Sequence, residues 1–147
     1  MDIATTKTFE QLAADPEGTV YKEGYSNDIR YIILRGTSAL CAYVGIPKKH
    51  PLAGHHYNNF CLPVHGGLIF GGEGKGDFLP EDYFWYGWDY GHCNDMSFYN
   101  LTSPDYALNG KKWTVKDVDN EIWEATYNFK RLCDLAESIY MKVKGWR

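Results

Sequence analysis

The sequence predicts an α+β fold, an antiparallel β-sheet packed against a long C-terminal α-helix. Between residues 19 and 90, short runs rich in β-branched and aromatic residues alternate with turns bearing glycine, proline and asparagine, as the strands of an antiparallel sheet do. After residue 114, apolar residues recur in steps of four and three, which is the period of one helix face. No glycine or proline interrupts that stripe before Gly145.

The 147 residues, 44% hydrophobic and 23% charged, fit one globular domain spanning residues 1–147. The formal net charge is -4 and the basic residues are scattered, which argues against duplex nucleic acid as a partner. No apolar run reaches the 18 residues of a membrane helix, and residues 1–15 lack the apolar stretch of a secretory signal. The 4 cysteines show no C-x-x-C spacing, which points to free thiols in a reducing cytoplasm rather than a zinc ribbon. Aromatics are abundant at 16%, a payload that fills cores and also lines pockets.

In order along the chain, residues 1–18 read as an N-terminal arm or a short helix with Phe9, Leu12 and Ala13 on one face, ended by Pro16 and Gly18. Residues 19–24 predict a short strand. Residues 29–35 (IRYIILR) and 40–46 (LCAYVGI) predict a hairpin across the turn signal Gly36-Thr37-Ser38, and Pro47 closes it because it lacks a ladder donor. A loop over residues 48–59 carries His50, His55 and His56, which read as surface histidines. Residues 61–70 return to strand character, broken at His65-Gly66-Gly67. The glycine-rich stretch 71–77 reads as a hairpin tip, and residues 83–88 as an aromatic strand with one face in the core. Residues 96–112 read as irregular, with turns at Ser103-Pro104-Asp105 and Asn109-Gly110.

The long helix is placed over residues 114–143. Thr114 followed by Asp117 forms a capping-box pattern. Val118, Ile122, Ala125, Phe129, Leu132, Ala136, Ile139 and Val143 then make one apolar stripe. Such a helix is about 42 Å long at about 1.5 Å per residue, as long as the domain is wide. The stripe fits a core helix. It equally fits a homo-oligomer contact, since its spacing is heptad-like.

Candidate chemistry gathers in residues 64–95. Asp89-x-x-His92-x-x-Asp95 follows a strand, where side chains are fixed yet open to solvent. His92 between two carboxylates suits an acid or base, and the trio with His65 offers nitrogen and oxygen ligands to a divalent metal. A hydrogen-bonded structural network is the plainer alternative. His65-Gly66-Gly67 allows a ligand to approach the backbone and meet its amides, or marks a β-bulge. It is neither a Walker loop nor a nucleophile elbow. Trp85 and Trp88 add rings that stack on a planar ligand. The expected ligand contacts are therefore His65, Gly66, Gly67, Trp85, Trp88, Asp89, His92 and Asp95. In an enzyme, His65, Asp89, His92 and Asp95 would be catalytic. No cofactor is required. The only arginines available to clamp a phosphate are Arg30, Arg35, Arg131 and Arg147.

Four segments occur here in a telling order: residues 43–47 (YVGIP), residues 50–54 (HPLxG), residues 64–68 (VHGGL) and Trp85-x-Gly87-x-Asp89-x-x-His92-x-x-Asp95. In these the chain resembles a family of small, uncharacterised phage and prophage proteins, over about residues 41–95 and the terminal helix. It departs from the pattern by a longer glycine loop and by Tyr90 and Cys93. The resemblance implies a phage context, hence the cytoplasm of a host, and brings no activity with it. By analogy with small pocketed phage proteins, it implies a protein that sequesters a nucleotide-type immune signal of the host. A hydrolase of a nucleotide-like substrate and an inhibitor of a host protein are the alternatives.

Overall fold

The computed structural model describes residues 3–99 and 110–145. The turns expected at residues 103–105 and at Asn109 lie outside the described residues. The elements are α1 (Phe9–Ala14), β1 (Val20–Ser26), β2 (Ile29–Arg35), β3 (Leu40–Pro47), β4 (Phe70–Glu73), β5 (Tyr83–Asp89) and α2 (Val115–Gly145). The strands form one antiparallel sheet in the order β1-β2-β3-β5-β4, with α2 packed on one face. The fold is α+β, as the sequence predicts.

Local chemistry accounts for most of the boundaries. A capping box starts α1: the Thr8 hydroxyl accepts from the Gln11 amide, and the Thr8 amide donates to the Gln11 side chain. Phe9 and Leu12 are its buried face. Asn27 and Asp28, at φ 51° and 64°, form the two-residue turn between β1 and β2. Both residues tolerate the left-handed region that a type I′ hairpin turn needs. The Asn27 side chain donates to the Trp123 carbonyl and to the hydroxyl of buried Thr126, which ties this turn to α2. The hairpin of β2 and β3 pairs Arg35 with Leu40 and Arg30 with Gly45.

The period-2 alternation of β2 and β5 is buried on both sides. Tyr31, Ile33, Val44, Tyr86 and Trp88 face α2. Ile32, Leu34 and Trp85 form a smaller cluster on the opposite face, covered by Leu79. Trp85 lies across Gly45, where an added β-carbon would meet its ring at 2.6 Å.

Three expectations need correction. Residues 61–69 form no strand; the chain passes a tight turn at His65, and bonding to β5 begins with the Ile69 amide on the Gly87 carbonyl at 2.9 Å, just before β4. Gly71 to Glu73 are not part of a hairpin tip but belong to β4, where Gly72 pairs with Trp85. The aromatic strand β5 supplies a ladder that glycines can join closely. His50 also differs from a surface histidine. Its Nε2 lies 3.2 Å from Glu137 on α2, and its Nδ1 accepts from the Leu52 amide at 3.0 Å. His55 and His56 are exposed.

At the start of α2 the Thr114 amide donates to Asp117 at 3.1 Å and the Asp117 amide to the Thr114 hydroxyl at 3.2 Å, so the capping box forms. Val118, Ile122, Ala125 and Phe129 are buried against the sheet. Farther on, Leu132 and Ala136 are half-buried and Ile139 is 57% exposed. The first half of the stripe is core. Its second half runs beyond the sheet and carries Leu135, Tyr140 and Met141 exposed beside Ile139. The side chain of Val143 lies outside those described. No helix among the described residues is long and apolar enough to cross a membrane.

Candidate functional site

The site forms where two chain reversals meet the start of α2. In the first, the Gly67 amide donates to the Val64 carbonyl at 2.9 Å, closing a turn with His65 at its corner. Gly66 and Gly67 have φ of 70° and 80°, a conformation that glycine adopts without steric cost. The second follows β5. Asp89 accepts from the Gly91 amide at 3.1 Å, and the Asp95 amide donates to the His92 carbonyl at 2.9 Å. Backbone bonds between Asn94, Met96 and Lys111 then bring Trp113 alongside.

Asp95 is the hub, and its side chain is only 4% exposed. Oδ2 accepts from His65 Nε2 at 2.7 Å and from the His92 amide at 2.9 Å, while Oδ1 accepts from Trp113 Nε1 at 2.7 Å. Burial pushes its pKa up, but the donors from His65, His92 and Trp113 outweigh burial and hold the carboxyl below its ordinary range. An ionised Asp95 accepts from His65, so Nε2 of His65 carries a proton, and in the neutral imidazole Nδ1 is the acceptor. Among the described residues Nδ1 has no hydrogen-bond partner.

Aromatic rings fix the imidazole plane. His65 stacks on Tyr90 at 4.8 Å and 8°, and Trp113 packs 4.7 Å away. The Tyr90 hydroxyl accepts from Trp88 Nε1 at 3.0 Å and donates to Glu121 at 2.8 Å. Burial drives the Tyr90 phenol far above its ordinary range, which keeps it a donor.

His92 lies 5.4 Å from His65, ring to ring. Its Nε2 is 3.2 Å from Asp89 Oδ1, close enough for an ion pair. The approach is out of line for a hydrogen bond, so this buried nitrogen has no hydrogen-bond partner among the described residues. Gly66 closes over it: an added β-carbon would fall 2.0 Å from Nε2.

The expected residues thus divide. His65, Gly66, His92 and Asp95 come together, with Asp89 attached through His92. Trp88 lies below in the core with its ring edge reaching a cleft. Trp85 is not brought to the site; it is 0% exposed on the opposite face of the sheet, with its Nε1 donated to the Pro80 carbonyl at 3.0 Å. A β-carbon added at Gly67 would meet nothing within 4 Å. No group of three or more His, Cys, Asp or Glu residues among those described is placed to hold a metal ion. The Asp95 oxygens already accept from three protein donors.

The cleft, about 160 Å³, opens between His65 and α2, lined by Pro63, Val64, His65, Trp88, Glu121, Glu124 and Ala125. Glu121 and Glu124 are functional candidates that sequence reasoning missed. Their signal is positional, since they flank Ile122 and Ala125 on the edge of the apolar stripe. Tyr90 and Trp113, which orient His65, were missed as well; only their place beside the Asp89–Asp95 segment and the helix cap marked them.

Fold and site together define a class: a single α+β sheet-and-helix unit with a histidine–aspartate pair beside an acidic cleft. The chain matches no protein-family model, no curated protein and no solved structure.

Proposed function

We propose that this is a small-ligand-binding protein whose cleft takes the base of a nucleotide-type ligand. One observation carries the reading: a histidine fixed by a buried carboxylate borders a cleft whose other wall presents Glu121 and Glu124, over the Trp88 ring. Carboxylates accept N–H donors, and the Nδ1 of His65 accepts one more. A base of the guanine type, with a ring N–H beside an amino group, meets such acceptors. At about 160 Å³ the cleft is smaller than the roughly 300–1,000 Å³ of ordinary ligand sites, so it takes one ring system and leaves the phosphate outside. Placing phosphate against two glutamates would be repulsive.

The resemblance to phage and prophage proteins supports a setting in the host cytoplasm, where binding of this kind withdraws a nucleotide immune signal. The exposed apolar end of α2, Ile139 with Met141, supports pairing with a second copy of the chain.

The test is retention. The pure protein is incubated with a panel of linear and cyclic nucleotides, washed, denatured by heat, and its supernatant analysed by mass spectrometry. Intact guanine-type nucleotide is expected, reduced by Glu124→Gln and by His65→Asn. The Nδ1 of His65, without a hydrogen-bond partner among the described residues, favours a second reading, a hydrolase in which the neutral imidazole takes a proton from water there. Its signature is a cleaved product that disappears in His65→Asn. Neither retention nor turnover would overturn both readings in favour of a host-protein inhibitor.

A further inference from the structure

The acidic cleft has a neighbour on the same flank of α2. A second hollow of about 400 Å³ lies along the same flank of α2, lined by Cys61, Pro63, Asn128, Arg131, Leu132 and Leu135. Pro63 borders both hollows, and the segment that carries it lies beside α2. On the helix wall, Glu124, Asn128 and Arg131 stand at i, i+4 and i+7, one above the other on a single face. Glu124 and Arg131 are separated by about 10.5 Å of helix rise, at about 1.5 Å per residue.

The first hollow is therefore acidic and the second cationic. Among the described arginines, Arg131 is the one suited to a ligand. Arg35 is buried, and its guanidinium is spent on the carbonyls of Leu12, Ala13, Gly36 and Thr37. Arg30 is bound to Glu23 and to the Gly24 and Tyr31 carbonyls. Neighbouring Lys130 is paired with Asp134. Arg131 lies 5.9 Å from the Tyr127 ring and has no carboxylate partner among the described residues. Its planar fork suits bidentate contact with a phosphate.

Resting on the base-binding reading above, we propose that the two hollows together take a nucleoside 5′-phosphate lengthwise, base edge at Glu121 and Glu124, sugar along Asn128, phosphate at Arg131. The arrangement places negative charge on the ligand only at the end where the protein is positive.

Calorimetric titration of guanosine and guanosine 5′-monophosphate into the wild type, Arg131→Gln and Arg131→Lys tests this. The phosphate is expected to tighten wild-type binding about tenfold, the size of one charge-assisted contact. Arg131→Gln should abolish that gain while leaving guanosine affinity unchanged, and Arg131→Lys should restore part of it. Added salt should weaken the monophosphate and not the nucleoside. Guanosine binding with no gain from phosphate, or a gain that survives Arg131→Gln, overturns the lengthwise placement and leaves the base-binding cleft standing. Binding of neither compound overturns both.

Discussion

Gly66 lies directly against His92: a β-carbon at position 66 would stand 2.0 Å from the His92 Nε2. The turn needs this glycine twice, once for its φ of 70° and once for the missing side chain. Gly67, with φ 80°, has open space within 4 Å of where a β-carbon would stand, and so isolates the first requirement from the second. Gly67→Ala should therefore cost about 1 kcal/mol, the left-handed backbone alone, and Gly66→Ala about 2 kcal/mol or more. Urea denaturation of both variants, with and without His92→Ala, checks this. If His92→Ala does not reduce the extra loss in Gly66→Ala, the contact carries no energy.

Asp95 makes stability depend on pH in a defined direction. Its folded pKa is depressed below the ordinary 3.8, so its contribution is present above that value and is lost as pH falls through the folded pKa. Asp95→Asn should lower stability by about 2 kcal/mol at pH 7, because an amide cannot replace every acceptor contact of the carboxylate. The gap between wild type and variant should shrink below about pH 4. Denaturation midpoints at pH 7 and pH 3 measure it, and a gap that stays constant would sink the assignment of Asp95 as an ionised hub.

The two halves of the α2 stripe should respond differently. Phe129 is 0% exposed and Ile139 is 57% exposed. Phe129→Ala should destabilise the fold by about 3–5 kcal/mol through the cavity it leaves. Ile139→Ser should change monomer stability by less than about 0.5 kcal/mol. If the overhanging end pairs with a second copy, the same Ile139→Ser should weaken self-association in sedimentation equilibrium. A wild type that stays monomeric at all accessible concentrations refutes that pairing.

The thiols should separate by burial. Burial pushes both Cys41 and Cys133 up to about 12, whereas Cys61 and Cys93 are exposed. At pH 8 a thiol-specific reagent should modify Cys61 and Cys93 rapidly and Cys41 and Cys133 only on unfolding. Peptide mapping by mass spectrometry reads the order. Rapid labelling of Cys133 in the folded protein would contradict its packing beside Phe129.

Helix α2 was legible because its signals are local. Thr114 and Asp117 sit three residues apart and cap each other, and Val118 through Phe129 repeat at the helical period. The β2–β3 hairpin was legible for the same reason, with runs rich in β-branched and aromatic residues on either side of Gly36. The candidate site was legible only in part. His65, His92 and Asp95 stood out as chemistry-bearing residues near glycines. Trp85 and Trp88 looked alike in the aromatic strand, yet three residues apart they project to opposite faces. Glu121 and Glu124 looked like ordinary solvent-facing residues of an amphipathic helix.

The sequence by itself determined where α2 and strands β2, β3 and β5 form, since propensity, capping and periodicity act over a few residues; β4 escaped it because its glycines carry no strand signal. Tertiary structure decided what those elements bring together. His65 meets Asp95 across 30 residues because β5 inserts between β3 and β4 and sends its end back past the turn at Gly66. The same strand order buries Trp85 under Leu79 and turns Trp88 toward α2. Docking of the helix by its stripe then carries Glu121, Glu124 and Arg131 along the two hollows beside Pro63. Such contacts depend on strand order and on the direction of each turn, which no local pattern encodes.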